Sequence, residues 1–188
     1  MKKIKILLLA LLVIASSSML KAQSEMTYEQ MIPVRVLMPT NKDVKGDALT
    51  VLYNRLNQAV SLNGLGSSTN ESRFIIVTSV TILSKDVTAS IPPQFKAEVE
   101  MTFYFVDNVQ KVIMSQETIT KKGMDNDDNK AVAKAIKSVQ ARDPKLKKLI
   151  NIGKQRAVEY YKTLEALEKA EEKEDTNETP DVTWVLED

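Results

Sequence analysis

Between Lys96 and Val106 apolar and polar residues alternate without a break. Ala97, Val99, Met101, Phe103 and Phe105 fall on one side, and Lys96, Glu98, Glu100, Thr102 and Tyr104 on the other. A period of two belongs to a strand with one face in a core and the other toward water. Asp107-Asn108 is a turn pair, so Val112 to Thr120 reads as the returning arm of a hairpin, ended by Lys121-Lys122-Gly123. Upstream, Arg73 to Leu83 begins doubly apolar and then alternates, which suits a central strand with one partly exposed end. The stretch from Asp86 to Gln94, with Pro92-Pro93, is a connection. Ile32 to Met38 is a first strand closed by Pro39, and Pro33 places it at an edge or starts it one residue later.

Helical periods occupy the rest. Leu49, Leu52, Leu56 and Ala59-Val60 form one stripe in a helix from about Asp47, which Asn63-Gly64 stops. Asp127 or Asp128 can cap a second helix, striped by Val132, Ala135-Ile136 and Val139. Asp143-Pro144 opens a third with a capping side chain and a proline at the first helical position. Its stripe runs through Leu146, Leu149-Ile150, Gly153, Ala157, Tyr160-Tyr161, Leu164 and Leu167, and Gly153 implies close packing against the sheet. The expected fold is α+β: a four-stranded, mostly antiparallel sheet with helices packed on one face, a long C-terminal helix and an acidic tail.

The ends of the chain differ from this domain. Lys2, Lys3 and Lys5 precede an apolar run from Ile6 to Ala15, then small residues and Lys21-Ala22-Gln23. That order is a bacterial secretory leader, residues 1–22, with cleavage expected after Ala22. The apolar run falls short of the roughly 20 residues of a membrane span. No Cys follows it, so lipid attachment at a leader-proximal cysteine is ruled out and an exported, periplasmic or outer-membrane-associated location is expected. Residues 23–170 make one domain. Residues 171–188 make an acidic linker and tail that ends in an apolar stretch holding Trp184 and Val185.

Composition narrows the chemistry. The chain has neither Cys nor His, which removes thiolate nucleophiles, imidazole bases and His-containing zinc sites. Enzymes are disfavoured, with carboxylate pairs, Ser-Lys pairs and Tyr still available. The net charge is +1 over 188 residues, but the sign is segregated. Lys121 to Arg156 carries 11 Lys or Arg against 4 Asp, a net of +7, and Glu165 to Asp188 carries 10 acids against 2 Lys, a net of −8. Such asymmetry can steer a charged partner, or the acidic tail can shield the chain's own basic helices. Without basic–aromatic interleaving, nucleic acid is not an expected partner.

Asp125 to Asn129 invites a calcium loop, but counting from Asp125 the sixth and twelfth positions hold Lys130 and Ile136 instead of Gly and Glu. No cofactor is expected. Glu98 and Glu100 lie on one strand face, roughly 7 Å apart by strand rise, a spacing open to a carboxylate-dependent hydrolase. Lys96 and Tyr104 beside them favour a solvated surface. Tyr160-Tyr161 could stack on sugar rings, though at helical spacing one belongs to the core.

The order of elements resembles the envelope modules of the curli-secretion component (CsgG) and TolB amino-terminal type. Ile32-Pro39, Leu49-Leu62, Arg73-Phe74-Ile75-Ile76-Val77, Val99-Asp107, Val112-Thr120, Gly123 and Ala131-Ala135 carry that resemblance. The chain lacks the curli component's lipid-attachment Cys and an evident pore-forming segment, and it lacks TolB's propeller, so pore formation is not implied. What the resemblance implies is an envelope scaffold that works through protein contacts. The expected contacts are an exposed sheet edge, the basic helical face around Lys145, Lys147, Lys148 and Arg156, and Trp184 and Val185 in the tail. Envelope proteins are the expected partners; an anionic envelope polymer or lipid head group on the same basic face is the alternative.

Overall fold

The computed structural model describes residues 32–67 and 72–175, with side chains through residue 170. In chain order the elements are β1 (Pro33–Val36), α1 (Gly46–Leu62), β2 (Gly66–Ser67), β3 (Phe74–Val87), β4 (Phe95–Asp107), β5 (Val112–Asp125), α2 (Asp128–Lys137) and α3 (Pro144–Asp175). The fold is α+β, as the patterning implies. Four strands build the sheet, and the two-residue β2 adds to its rim in the order β2-β1-β3-β4-β5.

The sheet is mixed for a topological reason. β3, β4 and β5 are joined by short turns and pair antiparallel, whereas β1 reaches β3 through α1 and so pairs parallel with it. β1 is therefore not an edge strand, because β2 pairs on its other side. Pro33 sits at its first residue, where a missing N–H costs least.

All three helices lie on one face. The register sets Ile76 opposite Phe105, Thr78 opposite Phe103 and Val80 opposite Met101, and these residues are buried. The predicted stripes arrive on them: Leu49, Leu52, Leu56, Ala59 and Val60 from α1, Val132, Ala135 and Ile136 from α2, and Leu146, Leu149, Ile150 and Ala157 from α3. Each fully buried Phe or Leu contributes about 1.5–3 kcal/mol.

Two glycines allow this contact. A Cβ on Gly153 would run into the Phe105 ring, and a Cβ on Gly123 would run into the Ala131 carbonyl oxygen. The second corrects the sequence reading, in which Gly123 ends the hairpin. β5 continues through it to Asp125, and Gly123 lets the α2 backbone rest directly on the strand. β3 likewise runs past Leu83 to Val87, with Leu83 left as the extra residue where its register against β4 shifts.

Candidate functional site

The face of the sheet opposite the helices carries the second half of every alternation. It is less wet than the sequence suggests. Across β3, β4 and β5 the register lines up Ile75, Val106 and Ile113 in one row and Val77, Tyr104 and Gln116 in the next. Ile75, Val77, Tyr104 and Val106 are half-buried and Ile113 is 52% exposed. Further along, Thr102 and Thr118 share a hydrogen bond at 3.1 Å, and Glu98 lies 3.6 Å from Lys122. The face thus grades from apolar at the Asp107 end to charged at the other. Glu98 and Glu100 project from the charged half, where Lys122 stands opposite Glu98 and Thr120 opposite Glu100.

The basic residues expected to form a docking face are placed along β5. An edge strand exposes carbonyls that could pair with another chain. Here Lys145 Nζ donates to the Thr118 carbonyl at 2.6 Å, Lys134 Nζ to that of Met124 at 3.2 Å, and Arg156 Nη1 to that of Met114. Met114 is the residue passed over where the β4–β5 register shifts, so the Arg156 bond falls at a bulge. Lys148 pairs with Glu117 at 2.6 Å, and Ser115 Oγ donates to the Leu149 carbonyl at 2.8 Å. Three of the four expected basic residues therefore fasten α3 to the sheet edge. Lys147 is the exception: it is exposed and lines an open recess with Leu62, Asn63, Ala141 and Arg142. Trp184 and Val185 lie outside the described residues.

A polar cluster absent from the sequence reading joins β3, the β4–β5 turn and α3. Asp107, its side chain fully buried, accepts from Arg73 Nε at 2.9 Å and Nη2 at 2.7 Å. Its other oxygen accepts the N–H groups of Val109 and Gln110 at 2.9 and 3.0 Å, which shapes the turn. The Arg73 guanidinium lies 3.8 Å from the Tyr160 ring centre, and Tyr161 meets Phe74 edge-on at 6.0 Å. Both tyrosines are thus engaged within the domain. Burial alone would raise the Asp107 pKa, but the Gln110 N–H, the Arg73 guanidinium and the Val109 N–H outweigh it and hold the carboxyl below the ordinary carboxylate value. Burial likewise opposes the charge on Arg73, yet Asp107 and Tyr160 keep its pKa raised. The one signal in the sequence is register: with Phe74 opposite Asp107, the preceding Arg falls beside the acid.

The acids after β5 have structural partners. Asp127 caps α2 by accepting the Lys130 N–H at 2.9 Å, Asp128 pairs with Lys85 at 3.1 Å, and Asp125 pairs with Lys134 at 2.7 Å. The Lys134 ammonium holds Asp125 below the usual carboxylate range.

No protein-family model matches the chain, and no curated protein matches it. Among solved structures it is similar to a minor lipoprotein from Acinetobacter baumannii at 13% identity, covering 69% of this chain and 94% of that one with a TM-score of 0.38. It is also similar to the PelC dodecamer from Paraburkholderia phytofirmans at 13% identity, 64% and 86% coverage and a TM-score of 0.40. A third is a Helicobacter pylori structure described as a homologue of neuraminyllactose-binding hemagglutinin, at 16% identity, 70% and 90% coverage and a TM-score of 0.40. None of these is a curli-secretion or TolB module. Among the described residues, no helix is long and apolar enough to cross a membrane.

Proposed function

We propose that the protein is a non-catalytic, exported module of the bacterial envelope that acts through protein contacts, with the open face of the sheet as its contact surface. The observation that supports this is the row of Ile75, Val106 and Ile113, backed by Val77 and Tyr104, on the face that the helices leave uncovered. Apolar side chains in register across three strands form a continuous strip that a partner can desolvate. The charged half of the same face, with Glu98, Glu100 and Lys122, would fix orientation more than affinity. The leader-like order of basic, apolar and small residues over 1–22 supports the location.

Site-specific photo-crosslinking in cells tests this reading. A crosslinker at Ile113 should give a discrete adduct that a crosslinker at Lys162, on the helical side, does not. Ile75→Glu should abolish the Ile113 adduct while the purified protein keeps its fold by circular dichroism. The same adducts from both positions, or an adduct indifferent to Ile75→Glu, would remove the open face from the interface. Trp184→Ala in the same assay separates a contribution of the tail, with unchanged yield assigning the contact to the sheet alone.

A further inference from the structure

Most cations on the helical side have an internal partner. Lys121 faces Asp143 at 3.6 Å, Lys137 faces Asp47 at 2.6 Å, and Lys134 and Lys148 have the acids named above. Lys145 and Arg156 hold β5 carbonyls. Arg55, Arg142 and Lys147 break that pattern. They come from the middle of α1, the α2–α3 turn and the first turn of α3. They line two adjoining open recesses, of about 380 and 280 Å³, that share Leu62, Ala141 and Arg142. The remaining lining is Gln58, Gln140 and Asn63, so no carboxylate lines either recess. Asp143, the acid nearest in sequence, is engaged with Lys121 and accepts the Lys145 N–H at 3.0 Å. The Arg55 guanidinium meets a neutral oxygen, Gln58 Oε1, at 3.4 Å.

Helix electrostatics do not account for the cluster. Cations favour a helix C-terminus because its last carbonyls lack partners. The last carbonyls of α1 already have them: Asn63 N–H and Nδ2 donate to Ala59 at 3.2 and 2.7 Å, Gly64 N–H to Ser61 at 3.1 Å, and Leu65 N–H to Val60 at 3.3 Å. Lys147 stands in the first turn of α3, where a cation opposes the dipole, and the acid at that terminus, Asp143, is already engaged by Lys121 and the Lys145 N–H. Three like charges brought together without a counter-charge repel one another, and an anion among them relieves that repulsion.

We propose that this corner binds a phosphate-bearing anion, with Arg142 between the two recesses and Arg55 and Lys147 on either side. Two planar guanidinium forks and an ammonium, brought by three elements to the lining of adjoining recesses, suit a tetrahedral oxyanion. Of the basic residues singled out from the sequence, only Lys147 belongs to this site. The site is independent of the contact surface proposed above, being on the helical side of the molecule.

The test is titration of the mature chain with inorganic phosphate by calorimetry, beside co-sedimentation with phosphatidylglycerol and phosphatidylcholine vesicles. Saturable binding is expected in the phosphate arm, which assigns a soluble ligand, or in the phosphatidylglycerol arm alone, which assigns a lipid head group. Arg142→Gln should weaken it by about tenfold or more, the loss of a charged hydrogen bond, and added salt should weaken it further. Lys162→Gln should leave it unchanged. Arg142→Lys keeps the charge without the fork and should fall between the two, which keeps the test valid if Arg142→Gln unfolds. Undiminished binding in both Arg142 variants, or no saturable binding in either arm, overturns the proposal.

Discussion

On β4, Phe105 and Tyr104 are neighbours in sequence and face opposite ways, and the two faces impose different demands. Phe105 is fully buried, and its ring fills the space beside Gly153 that any larger residue there would need. Tyr104 lies half-buried between Val77 and Gln116 on a face with no helix over it. One side of the sheet selects for volume to within a methyl group. The other selects only for cross-strand neighbours, which contribute a few tenths to about 1 kcal/mol per pair. A surface that folding constrains so lightly can be shaped by a partner instead.

The sharpest way to break this comparison is truncation on either side. Phe105→Ala should cost about 3–5 kcal/mol in chemical denaturation, while Tyr104→Ala should cost about 1 kcal/mol or less. Equal losses would mean that the open face is covered in the folded protein. Next comes Arg73→Ala, which leaves the buried Asp107 carboxylate with backbone donors only. With Arg73 itself 20% exposed, we expect about 3 kcal/mol, the lower end for breaking a buried pair. The pH dependence sharpens the assignment. The Asp107 pKa is lowered in the fold, so its contribution is present above the unfolded value of ~3.9 and is lost as the pH falls through the lower folded value. Arg73→Ala should flatten that acid limb of the stability curve; an unchanged limb would assign it to other carboxylates. A smaller loss than at Arg73 is expected for Gly153→Ala. Added helix propensity works in its favour, but the Phe105 ring must move, and the net should be about 1–3 kcal/mol destabilising. Combined with Phe105→Leu, which vacates part of that space, Gly153→Ala should become nearly neutral, and full additivity of the two would show that they do not touch.

Much of the fold was legible because it is local. The alternation of β4 and the stripes of α1, α2 and α3 are read within one element, and each apolar residue quoted from them up to Ala157 faces the core. What escaped depends on contacts between distant segments. Lys121-Lys122-Gly123 has the composition of a turn, and only the Ala131 carbonyl resting on Gly123 explains why the strand runs on. The Arg73–Asp107 pair spans 34 residues and exists because of strand register. The basic residues of α3 were legible as a group but not in their use, since sequence does not say that a lysine stem can reach the β5 backbone. For the same reason Arg55 and Arg142, 87 positions apart in number, gave no joint signal. The capping read for the acids before α2 is what Asp127 does, and both Tyr160 and Tyr161 make contacts within the domain, where the sequence placed only one of them in the core.

The clasped carbonyls of β5 also bear on crowding. A protein confined with many copies of itself risks growing sheet to sheet, each free edge templating the next. Here long basic arms from α2 and α3 hold three carbonyls of the outer strand, so a newcomer would have to displace them before it could add a rung. Contact through a face instead permits layers of definite number, and the chain is in this respect closer to a tile than to a ladder.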